Sequence, residues 1–66
     1  MTPKEFFEKH TREEVARVAE AAGTNIDNFR QIALYGGKVG SRLAKRLEEA
    51  SNGKMSLREI LFPDEF

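Results

Sequence analysis

The feature that most constrains this chain is a short pattern that occurs three times: a hydroxyl residue followed three positions later by glutamate. It appears at Thr2 and Glu5, at Thr11 and Glu14, and at Ser56 and Glu59. At that spacing the hydroxyl accepts from the backbone N–H of the third helical residue, and the carboxylate bonds back to the N–H of the cap residue. Each pair therefore marks a helix start. Pro3 reinforces the first, because proline at the first helical position gives up only an N–H that has no partner there. Met1 with Phe6, and Met55 with Ile60, fill the two positions of a hydrophobic staple across their caps. A chain restarted so often forms several short helices rather than one long one.

Apolar spacing supplies the rest. Val15, Val18, Ala19 and Ala22 follow Thr11 at i, i+3, i+4 and i+7, one stripe of a second helix that Gly23 ends. Thr24 or Asn25 caps a third helix running to about Leu34, with Phe29, Ile32 and Ala33 facing inward and Gly36 and Gly37 closing it. Ser41 is the expected cap of a fourth helix, with Leu43, Leu47 and Ala50 inside and Gly53 at its end. The first helix ends near His10, and Pro63 limits the fifth. No stretch alternates with the period of a strand. The expectation is an all-α chain, a compact bundle of about five short helices forming a single domain over residues 1–66.

Length and composition narrow the function. A chain of 66 residues buries only about 60% of the surface its unfolded form exposes and has no room for a large substrate cavity. There is no cysteine, so neither disulfides nor thiolate-bound metal supplement the core. No apolar run approaches the roughly 20 residues that span a bilayer, and the start of the chain has no basic-then-apolar leader pattern, which points to the cytoplasm and away from a membrane. The charged fraction of 33%, with only two prolines, describes an ordered domain. Catalysis would need a nucleophile with its base, or a titratable pair. His10 is the single histidine and falls at a helix junction, while Glu13, Glu14, Glu48 and Glu49 fall where caps and solvated helix faces account for them. No metal-ligand or phosphate-loop spacing is present, so no cofactor and no enzyme activity are expected.

The formal net charge is zero, yet it is unevenly spread. Between Ile26 and Arg46 there are five cations (Arg30, Lys38, Arg42, Lys45 and Arg46) against Asp27, five less one or +4, which leaves −4 for the remainder. Either this third forms a basic face for phosphates or it is an ordinary solvated helix surface. The segment Thr11 to Leu34 argues for the first: small Ala19, Gly23 four residues on, a tight turn, then apolar Phe29 and Ile32, the spacing of a helix-turn-helix. The free side of the second helix offers Asn25, Asp27, Asn28, Arg30 and Gln31, most of them side chains able to read base edges of double-stranded DNA, while Asp27 either accepts from cytosine or merely favours the helix N-terminus. Arg30 serves as a base reader or a phosphate contact, and Ile26 packs inside or meets a thymine methyl. Lys38, Ser41, Arg42 and Lys45 lie where a backbone clamp is useful. Tyr35 is either a further phosphate contact or a half-buried lid on the helix end.

With turn and clamp placed, the sequence resembles the small phage Cro-like regulators and the related YdaS-type helix-turn-helix proteins. The residues that carry the resemblance are Ala21-Ala22-Gly23-Thr24, Phe29-Arg30-Gln31-Ile32-Ala33, Ser41, Leu43-Ala44-Lys45-Arg46-Leu47-Glu48-Glu49-Ala50, and Leu61 to Phe66 with its Pro63-Asp64. The resemblance implies a sequence-specific DNA-binding transcriptional regulator, a phage or prophage repressor that sets the helix from about Ile26 to Leu34 in the major groove of an operator, often as a dimer. One departure bears on affinity: relatives tend to carry a more basic, proline-containing segment where this chain has Gly36-Gly37-Lys38-Val39-Gly40.

A rival use of the same fold is an antitoxin-like or phage protein-binding module that acts through a host protein. Phe62 and Phe66, flanking Pro63, are its candidate apolar patch; otherwise they fold back to complete a small core. A third version joins the two, with the tail building a homodimer that binds DNA.

Overall fold

The computed structural model describes residues 1–65; Phe66, one of the two tail phenylalanines considered above, lies outside the described residues. The chain is all-helical, with α1 Pro3–Lys9, α2 Arg12–Ala21, α3 Ile26–Tyr35, α4 Ser41–Ala50 and α5 Leu57–Leu61, followed by a 3-10 turn over Pro63–Glu65. All three capping boxes form, on α1, α2 and α5. Their carboxylates accept from the cap N–H groups of Thr2, Thr11 and Ser56 at 3.0, 2.9 and 3.0 Å. Glu59 also accepts from the Met1 amino group at 2.9 Å, which ties the start of α1 to α5.

The core is built from Phe6, Val15, Ala19, Ala22, Phe29, Ala33, Ala44, Leu47, Met55 and Ile60. Phe6 and Phe29 meet edge-on with ring centroids 6.2 Å apart, the arrangement that sets the positive rim of one ring against the negative face of the other. Through this contact α1 covers the inner side of α3. Ala19 on α2 and Ala44 on α4 are completely buried, and α4 packs against α2 and α5 rather than on α3. The exposed side of α3 is thereby left without a helix over it.

The turn between α2 and α3 has a definite hydrogen-bond chemistry. Gly23 takes φ +84°, while its N–H bonds the Glu20 carbonyl and the Thr24 N–H bonds the Ala19 carbonyl, both at 3.0 Å. These are the paired bonds of a Schellman closure, which requires the left-handed conformation that a Cβ disfavours. Asn25 follows at once as the cap of α3, its Oδ1 accepting from the Asn28 N–H at 2.8 Å.

Three expectations for α4 are corrected. Its cap is Gly40, not Ser41; Ser41 is already the first helical residue and makes no capping bond. Docking of Ala44 and Leu47 into the core fixes where the helix lies and carries Ser41 into its first turn. On the inner stripe Leu47 is buried as expected, but Ala44 rather than Leu43 is the second fully buried residue, and Leu43 and Ala50 pack against the core only partly buried. At the far end Asn52 (φ +55°), rather than Gly53, takes the first left-handed position, and the Gly53 N–H bonds the Glu48 carbonyl at 2.9 Å. Asparagine tolerates that conformation better than most residues with a Cβ. Glu48 then reaches across to accept from the Leu57 N–H at 2.9 Å, placing a carboxylate at the start of α5.

Candidate nucleic-acid interface

α3 presents two different sides. With a helical turn of about 100° per residue, Phe29, Ile32 and Ala33 share the inner side, while Asp27 and Gln31 each fall about 160° from Phe29. Phe29 is fully buried and Ile32 and Ala33 nearly so; Asp27, Asn28, Arg30 and Gln31 are exposed. Asn25 is exposed as well, but its carbonyl oxygen is engaged as the cap. Asn28 is engaged too, its Nδ2 donating to Thr24 Oγ1 at 2.8 Å. A base would have to share or replace those bonds, whereas among the described residues the side chains of Asp27, Arg30 and Gln31 make no protein hydrogen bond. Ile26 is partly buried against the core, which places it inside. Leu34, which the apolar stripe did not single out, is 38% exposed on the outer side beside Arg30 and Gln31.

The expected clamp residues Lys38, Ser41, Arg42 and Lys45 are all exposed. Tyr35 is 68% exposed and so is not the half-buried lid of the alternative reading. With Gly40 as cap, no side chain bonds the first N–H groups of α4; the N-terminal end of a ten-residue helix is open to an anion beside Arg42 and Lys45. Sequence reasoning missed the position of Arg46. Its Nη1 comes within 3.5 Å of where a Cβ on Gly23 would stand, so this guanidinium lies over the turn that joins α2 to α3. Arg42 and Arg46 are four residues apart on one face of α4, and together they run the cationic row from the helix start to the turn.

Comparison with known proteins brings no match. No family model, no curated protein and no solved structure is recognisably similar to this chain.

Other features of the site have local explanations. His10 closes α1, its ring stacked on Phe6 at a centroid distance of 4.0 Å and its Nδ1 donating to the Phe6 carbonyl at 3.0 Å. No group of three or more histidine, aspartate or glutamate side chains capable of holding a metal is present among the described residues. No helix of the described residues is long and apolar enough to cross a membrane. Glu5, Glu14 and Glu59 are held below the ordinary carboxylate value, first by the N–H groups of Thr2, Thr11 and Ser56 respectively. Phe62 is 55% exposed and does not fold back to complete the core.

Proposed function

We propose that this chain is a sequence-specific DNA-binding transcriptional regulator of the phage Cro-like kind, which sets the outer side of α3 in the major groove and grips the backbone with the start of α4. The observation that carries this reading is the uncovered side of α3, where Asp27, Arg30 and Gln31 are exposed on a helix anchored from behind by Phe29, Ile32 and Ala33. An α-helix fits the major groove, and these side chains match its chemistry: arginine pairs with guanine, glutamine with adenine, and a carboxylate accepts from cytosine. Lys38, Arg42, Lys45 and Arg46 supply the phosphate contacts that hold the helix in register. This role is one of binding, without catalysis and in the cytoplasm, where operator DNA is reached.

The reading is tested by incubating the protein with a pool of random duplexes and sequencing what is retained at rising salt. The expected result is enrichment of one short motif containing adenine and guanine steps for Gln31 and Arg30. Retention without enrichment contradicts sequence-specific recognition. A second reading, a module that acts through a host protein, is favoured by one observation, the 55% exposure of Phe62; no retention of DNA at low salt together with capture of a defined protein would select it.

A further inference from the structure

The flank of α3 toward the junction of α1 and α2 is left open. A groove of about 470 Å³ lies there, between the end of α1, the first turn of α2 and one row of α3. The row is Ile26, Arg30 and Leu34, at steps of four, which form a single ridge and carry the groove along about 12 Å of the helix. Apolar surface continues across from it: Val15 is buried at the bottom, Phe7 is half-buried and Leu34 is exposed. The charge around this surface is mostly positive. Arg12 and Arg30 are exposed, and neither forms a salt bridge among the described residues. Asp27 is the one carboxylate among the described residues of the lining, and His10 completes the wall with a ring held by its stacking on Phe6.

Duplex DNA accounts for Arg30 but not for the rest. In the major groove its apolar points are the thymine methyls, and it has nothing to fill a groove floored by Phe7, Val15 and Leu34.

We propose that this groove takes a short acidic peptide segment of a protein partner, with an apolar side chain seated between Phe7, Val15 and Leu34 and flanking carboxylates on Arg12 and Arg30. The unpaired guanidinium groups call for carboxylates, which the planar fork of arginine binds through two parallel hydrogen bonds. The length fits as well, since about 12 Å is the span of four extended residues at about 3.3 Å each. A compact small molecule in so open a groove keeps much of its surface wet, against the roughly 70–90% that such ligands bury in their sites. The segment and a duplex both need Arg30 and therefore exclude each other. That consequence, unlike the docking, rests on the DNA reading: a partner presenting the segment releases the protein from DNA.

The docking is measured without DNA, so its failure and that of the DNA reading are distinguishable. The probe is a capped, fluorescein-labelled decapeptide that alternates glutamate with leucine or phenylalanine; two controls carry lysine for every glutamate or serine for every apolar residue. Anisotropy is expected to show saturable binding of the first peptide alone, and amide chemical shifts should move at Phe7, Val15, Ile26 and Leu34. Arg12→Glu and Leu34→Ser, at exposed positions, should each weaken binding at least about fivefold with an unchanged helical circular dichroism signal. Asp27→Asn, which removes the repelling carboxylate, should tighten it, and Arg17→Glu, on α2 outside the groove, should leave it within about twofold. Equal binding of the serine control, or an equal loss with Arg17→Glu, reduces the contact to general charge and overturns the proposal. So does the absence of peptide binding, including the case in which phenylacetate alone shifts the same amides and the groove belongs to a small carboxylate. Added to a protein–duplex complex, the peptide should displace the duplex; a ternary complex overturns the exclusion of DNA.

Discussion

Asn25 and Gln31 show how two amides of similar chemistry take different roles on one helix. The Asn25 carbonyl oxygen is used by the Asn28 N–H, while Gln31 projects from the opposite side of α3 to Phe29. Asn25→Ser separates cap from reader: serine still caps, so the expected outcome is a stability change of under about 0.5 kcal/mol with DNA sequence preference intact. Loss of preference in a normally stable Asn25→Ser protein would assign a base contact to the Asn25 amide. Gln31→Ala is expected to relax preference at one base position, costing about 1–3 kcal/mol against the cognate duplex only. Arg42→Ala should instead weaken all duplexes alike and lower the salt dependence by about one phosphate contact. Fluorescence anisotropy on cognate and scrambled duplexes distinguishes the two patterns. The composition of the α3 face was legible in the sequence because helical periodicity assigns each residue a side. The engagement of Asn25 and Asn28 was not, since both asparagines carry the same groups whether they bond locally or point at a base.

Among the elements, the turn from α2 to α3 depends most on one residue. A Cβ at Gly23 would meet Arg46 Nη1 at 3.5 Å, an ordinary contact, so the cost of Gly23→Ala comes from φ +84° rather than from crowding. That conformation costs about 1–2 kcal/mol for a residue with a Cβ, and thermal melting should show a Tm lower by roughly 4–16 °C for a domain this small. The capping boxes predict a response to acid. Glu5, Glu14 and Glu59 titrate below the ordinary 4.5 in the folded chain, so their stabilisation is complete above that value and is lost as pH falls through the folded values. Melting temperature should hold level from neutrality down to about that value and then decline. Glu14→Gln, which keeps an acceptor for the Thr11 N–H, should remove part of that decline. These boxes were readable because each bond spans three residues of one chain. The limits of α4 were not, because Gly40 competes with Ser41, and Asn52 with Gly53, and the choice between neighbours is made by how Ala44 and Leu47 dock.

For the molecule as a whole, the decisive property is where charge and apolar surface come to lie. The sequence shows that the third of the chain from Ile26 to Arg46 is basic, but not that Arg46 reaches the turn before α3 or that Phe62 stays outside; both depend on packing between residues far apart in the chain. The outer side of α3 and the row along α4 bring Arg30, Lys38, Arg42, Lys45 and Arg46 into the proposed interface. If Lys38, Arg42, Lys45 and Arg46 each replace a counterion on a phosphate while Arg30 reads a base, the logarithm of the DNA-binding constant should fall with the logarithm of salt concentration at a slope near −0.9 per contact, about −3.6 for the four. The most direct measurement is that salt titration, made on the duplex selected from a random pool and on a scrambled duplex of the same length. Steep slopes are expected on both, with the selected duplex bound more tightly throughout by roughly 4 kcal/mol or more. A slope near zero, or equal affinity for the two duplexes at every salt concentration, would contradict sequence-specific DNA binding.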